Sequence, residues 1–260
     1  MDKSNLTQAQ VLRISALSAF VCALLLSPSA ISADLDRDFI SAIQNKDFAA
    51  LHHLVASGID VNQSLDDGRT ALMAAAKHGD SRLVRKLLAK GADVSIANAN
   101  GGTALMFCAT NADLGIAKVL LEHRSSVNAQ ARNGWTAIMI ASAKGNHQLV
   151  QLLLEHGADA NIEDVYGWTP LIRAAYEGRR KAVAALLEWT SININAQDEQ
   201  GATALHHAAA KGYEQIVGLL VGRGADTTIK DKSDTTAAMA AEVGNHVGVK
   251  EAIKLATDGG

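Results

Sequence analysis

Aromatic side chains are scarce in this chain, at 4 % of its 260 residues. A core must therefore be assembled from Ala, Leu, Val and Ile, and an apolar content of 48 % supplies enough of them. Proline occurs twice, which with 21 glycines argues against a disordered, proline-rich tail. No long run of one charge is present and the formal net charge is −3. Nucleic acid and anionic membranes both select for a basic footprint, so neither is an expected partner. Metal and phosphate motifs are missing too. There is no HExxH and no pair of Cys-x-x-Cys sequences, so nothing specifies zinc. The glycine-rich "ANANGGT" at 97–103 has no lysine after it and no phosphate-loop context.

Cysteine is limited to Cys22 and Cys108. Cys22 lies in an apolar segment, Ile14 to Leu26, preceded by Lys3 and Arg13 and followed by the small-residue stretch "SPSAISA". That is the plan of a secretory signal peptide, too short to span a bilayer comfortably, with cleavage expected after Ala33. Removing residues 1–33 leaves Cys108 alone, so no internal disulfide can form in the exported chain. At a core-like helical position, Cys108 is expected to act as a small apolar group.

What is present is a period. Thr70, Thr103, Thr136, Thr169, Thr203 and Thr236 each open a similar phrase, at intervals of 33, 33, 33, 34 and 33 residues. Gly91-Ala-Asp, Gly157-Ala-Asp and Gly224-Ala-Asp keep step with them. Each threonine is placed to cap a short Ala-rich helix. Gly79, Gly145, Gly178 and Gly212, nine residues on, are placed to end it in the left-handed conformation. A second helix carries an apolar stripe such as Leu83, Val84, Leu87, Leu88, or Leu149, Val150, Leu153, Leu154. One such pair of helices cannot cover its own apolar face, whereas a stack of them makes a continuous core.

The pattern resembles the ankyrin repeat, whose T-P-L-H-x-A signature is split here between Thr169-Pro170-Leu171 and Thr203-Ala204-Leu205-His206. The resemblance implies an all-α solenoid of stacked helix-turn-helix units joined by β-turn or hairpin loops. Residues 34–260 form one domain: an amino-terminal cap (34–66), repeats at 67–99, 100–132, 133–165, 166–199 and 200–232, and a carboxy-terminal cap (233–260). Met73, Met106 and Met139 replace the family's histidine and are expected to fill core or groove. Only His206 can make its bond to the threonine. The second full unit has Ala112 for the terminating glycine and Arg124-Ser125-Ser126 for Gly-Ala-Asp, and is expected to be the softest. In the last unit Gly244 and Asn245 compete as terminator. The cap there is expected to keep the end of the stack soluble.

No active site is read from the residues. The adjacent pairs His52-His53 and His206-His207 suit hydrogen bonding better than metal binding, and Asp66, Asp67, Asp164 and Asp198 recur as turn residues. The resemblance implies a non-enzymatic module that binds another protein on its concave face. It also marks variable places beside each threonine, and four of the chain's six Trp and Tyr residues fall on them: Trp135, Tyr166, Trp168 and Tyr176. With Arg132 and Lys144 they are the candidate partner-binding residues, since rigid exposed aromatics are typical interface anchors. No cofactor, metal, nucleic acid or membrane partner is expected, and the chain is expected to be monomeric. Its expected place is the periplasm or the exterior, with a task of scaffolding, protecting or inhibiting an exported enzyme. The alternative is a secreted factor acting on host proteins. An enzyme or metal-binding protein on the same stack would require converging titratable groups.

Overall fold

Each unit of the computed structural model, which describes residues 28–258, is a helical hairpin. The amino-terminal pair is α1 (Pro28–Asn45) and α2 (Phe48–Leu54), extended by a 3-10 turn at Val55–Ser57. There follow α3 (Ala71–His78) with α4 (Ser81–Ala89), α5 (Ala104–Ala109) with α6 (Leu114–Glu122), and α7 (Ala137–Lys144) with α8 (His147–Glu155). The stack continues through α9 (Pro170–Tyr176) with α10 (Arg180–Leu187), and α11 (Ala204–Ala210) with α12 (Glu214–Gly222). It ends on α13 (Ala237–Val243) and α14 (Val247–Asp258). Helix α1 begins before residue 34, so a cut after Ala33 falls within it. The basic and apolar parts of the expected leader lie outside the described residues.

The threonines act as the period requires. Each side-chain oxygen accepts from the amide three residues on, as Thr70 does from Met73 at 3.3 Å and Thr236 from Met239 at 3.4 Å. At the last unit Asn245 holds the left-handed conformation (φ 58°) while Gly244 is right-handed, so asparagine is the terminator. Second helices of the early units have a cap of their own: Asp47, Asp80 and Asp113 each accept from a first-turn amide at 2.9 Å. Such a cap contributes about 1 kcal/mol.

First helices pack on first helices and second on second, so alanines such as Ala71, Ala75 and Ala76 are buried between neighbours. One apolar cluster runs from Phe39 to Ile253 and takes in Met73 and Met106. Burying each leucine of the stripe contributes roughly 1.5–3 kcal/mol. Cys108 is within this core, its thiol donating to the Asp113 carbonyl at 3.2 Å, and burial pushes its pKa up to about 12. It has no thiolate to offer a reaction.

Two rows of hydrogen bonds tie the units along their edges. At the Gly-Ala-Asp turns, Asn62 accepts from the Asp93 amide (2.8 Å) and donates to the Gly91 carbonyl (3.1 Å) of the next unit, and Asn128 does the same to Asp159 and Gly157. The corresponding place before the second full unit's turn is Ser95, whose hydroxyl turns back to Asp93 (2.6 Å). That unit also holds Ala112 and Arg124 at φ 59° and 63°, conformations that cost a non-glycine residue about 1–2 kcal/mol. The other row joins the hairpin tips, where Ala99, Arg132, Val165, Glu199 and Lys232 each donate an amide to the preceding tip.

The carboxy-terminal end carries exposed apolar side chains. Met239, Val243, Val247 and Leu255 are all exposed, Val243 at 84 %. No further unit follows to cover them among the described residues.

Candidate partner-binding face

The hairpin tips and first helices together line an open groove, and the same turn recurs in successive units. Five residues before its threonine, Asp164 accepts from the amides of Tyr166 (2.9 Å) and Trp168 (3.0 Å). Asp198 accepts likewise from Gln200 and Ala202, both at 2.9 Å. The turn role expected for these carboxylates is therefore observed. Each also has a second oxygen aimed at the helix that follows. Asp164 takes the Arg173 guanidinium at 2.6 Å, and Asp198 takes the His207 ring at 2.7 Å.

Arg173 and His207 lie four residues after their threonines, a column not singled out in the sequence. They organise the aromatic residues that were. The guanidinium lies 4.7 Å from the Trp135 ring centre and 4.1 Å from that of Trp168, held between two indoles of adjacent units. Trp168 also meets Tyr176 (ring centres 4.9 Å apart, edge-on) and His207 (4.8 Å). Lys211 closes the row above the Tyr176 ring at 4.7 Å. Each cation–π contact of this kind contributes about 0.5–2 kcal/mol, more as water is excluded.

Four of these six residues lie side by side and two stand apart. Trp135, Trp168 and Tyr176 form one half-buried ledge, and Arg132 is exposed on the open groove beside Trp135. Tyr166 is on the tip and 60 % exposed, while Lys144 is exposed at the end of α7. The indoles are less free than expected, since Trp168 also packs against the core. Reading every unit at the threonine-plus-four position would have exposed the missing partners. That column runs Ala74, Phe107, Ile140, Arg173, His207, Ala240.

His206 performs the bond foreseen for it. Its Nδ1 accepts from the Thr203 hydroxyl (2.9 Å) and amide (3.2 Å), so Nε2 carries the proton toward the Thr235 carbonyl (3.1 Å) of the next unit. Burial lowers its pKa from the ordinary 6.5. The folded chain therefore resists a proton that the unfolded chain accepts, and stability falls as pH drops below about 6.5. His206→Met installs the residue found at the same place in four other units (Met73, Met106, Met139 and Met239) and removes that dependence. The stability advantage of the wild type over this variant, from urea titrations, should narrow between pH 7.5 and 5.5. A gap that does not change with pH would contradict the assignment.

Comparison with known proteins agrees with the period. The family model for ankyrin repeats in three copies matches residues 39–131 and 125–198, and the single ankyrin repeat matches 200–232. No curated protein matches the chain. Among solved structures, EF0377, an ankyrin repeat protein, is 31 % identical with a TM-score of 0.66, covering 72 % of this chain and 97 % of its own. The ankyrin repeat domain of Bcl-3, of the IkappaB protein family, is 28 % identical with a TM-score of 0.70, covering 82 % and 97 %. With the threonine caps, the stacked hairpins and these matches in agreement, the chain belongs to the ankyrin-repeat family.

Proposed function

We propose that the chain is an exported, non-catalytic module that grips a partner protein on its inner face, across the ledge from Trp135 to Lys211. The observation that carries this reading is the Arg173 guanidinium clamped between Trp135 and Trp168 and anchored on Asp164. Stacking does not demand it, because the same hairpin closes with Ala74 or Ala240 at that place. The clamp fixes large side chains before binding, so little rotamer entropy remains to be lost when a partner docks. Export rests on the basic start, apolar segment and small-residue stretch of residues 1–33. A scaffolding, protecting or inhibiting role toward an exported enzyme follows from that location; action on host proteins is the alternative reading.

Trp135→Ala/Tyr166→Ala tests the ledge at its Trp135 end together with the exposed tip beside it, without removing Trp168 from the core. After crosslinking in cells and pull-down, the variant should lose at least one specific partner by tenfold or more, as expected of anchors contributing about 2 kcal/mol each. Unchanged retention of every partner refutes the ledge. Fractionation tests export: a shortened chain should leave the cytoplasm, and full-length protein held inside contradicts it.

A further inference from the structure

The threonine-plus-four column that holds Phe107, Ile140, Arg173 and His207 holds only Ala74 in the first full unit. The missing side chain leaves a cavity of about 260 Å3 between the α1–α2 turn and α3. Its apolar lining includes Ile43, Met73, Phe48 and Phe107. A cavity of roughly 150 Å3 accepts benzene, so this one has room for a single ring or branched aliphatic group.

Its rim has a distinct chemistry. Lys46, Arg69, Lys77 and His78 line it and no carboxylate does, on a chain whose net charge is −3. Arg69 is occupied by Asp67 at 2.6 Å. Lys77 reaches over the Phe107 ring at 5.8 Å, and His78 is stacked on Phe48 with centres 3.9 Å apart. An apolar hole edged by cations is complementary to an apolar group edged by anions.

We propose that this cavity takes one aromatic or branched aliphatic side chain of a partner polypeptide, with flanking carboxylates on Lys46, Lys77 and His78. The proposal rests on the protein-binding reading above and adds the chemistry of the bound segment. A polypeptide fits better than a free small molecule for two reasons. The volume is below the roughly 300 Å3 at which small-molecule pockets begin. The cavity also shares Arg69 and Phe107 with the groove that leads along the inner face to Trp135, a path for a continuing chain.

The probe is a capped pentapeptide, one phenylalanine with two glutamates on each side, titrated into the full chain by calorimetry. Saturable, salt-sensitive binding is expected, at least tenfold weaker when serine replaces the phenylalanine or lysines replace the glutamates. Ala74→Leu fills the cavity with a side chain of the kind neighbouring units already carry there, so it should fold normally and bind at least tenfold more weakly. Lys46→Gln/Lys77→Gln should also weaken binding and flatten its salt dependence. Absence of saturable binding to the wild type, equal binding by Ala74→Leu, or equal binding of the lysine peptide overturns the proposal. Trp135→Ala/Tyr166→Ala should bind the pentapeptide normally, which separates the two readings. If the pentapeptide fails while that variant still sheds partners, only the cavity is refuted. If the pentapeptide binds while that variant keeps every partner, only the ledge is.

Discussion

Gly134→Ala should destabilise the chain by roughly 2–5 kcal/mol, far more than the same change at Gly157. Both glycines have positive φ, +80° and +83°. Each substitution therefore carries the cost of a side chain in the left-handed region, about 1–2 kcal/mol. The surroundings separate them. A Cβ on Gly157 meets nothing within 4 Å, whereas one on Gly134 lies 2.6 Å from the Asp164 Cα and 2.9 Å from the Val165 amide nitrogen. Those are backbone atoms of the next unit and cannot rotate aside. The two tips must part, which weakens the Val165 amide bond to the Asn133 carbonyl (3.2 Å) and adds an overpacking cost of about 1–3 kcal/mol. Urea titration of the two variants beside the wild type measures the difference. In a stack where units contact only their neighbours, protection from hydrogen exchange should fall first at 131–168 in Gly134→Ala. Equal costs at Gly134 and Gly157 would mean that the tips are not in close contact.

That tip glycine shows where the sequence was readable and where it was not. The threonine caps, the glycine stops and the leucine stripe are local devices: a residue type at a fixed distance satisfies an amide or covers a face within its own hairpin. Their period therefore displays them. Asn245 could be settled only by the backbone, because glycine and asparagine both tolerate the left-handed conformation and stand side by side. Gly134 and Gly167 recur two residues before their threonines, where the turn requires a positive φ, but their second reason is the close approach of the following unit, which no local pattern encodes. The aromatic ledge divides in the same way. Its aromatics stand out because they occupy variable places, while Arg173 and His207 read as ordinary polar residues of short helices. Their role emerges only when a turn carboxylate in the same unit and an indole in the preceding one are brought together.

Asp164→Ala should cost about 3–5 kcal/mol, because the carboxylate serves the turn and the clamp at once. Its side chain is 0 % exposed and that of Arg173 only 16 %. Truncation leaves the Tyr166 and Trp168 amides without their acceptor and strands a cation between two indoles. Most of that cost is the desolvated charge left behind, so removing the charge as well should recover stability. The chain already contains the replacement. Two units earlier in the stack, Asn98 accepts from the Asn100 (3.0 Å) and Gly102 (2.8 Å) amides, and the column position beyond it is Phe107. Asp164→Asn/Arg173→Phe transplants that solution, keeping the turn acceptor and exchanging the cation for a ring. The double variant should melt within a few degrees of the wild type while Asp164→Ala melts well below it. Partner retention should nevertheless fall in both, since the guanidinium is gone from one and unanchored in the other. A double variant that is as unstable as Asp164→Ala would show the ion pair itself to be essential to the stack; one that keeps every partner would show Arg173 to be a structural strut, with the ledge binding through its rings alone.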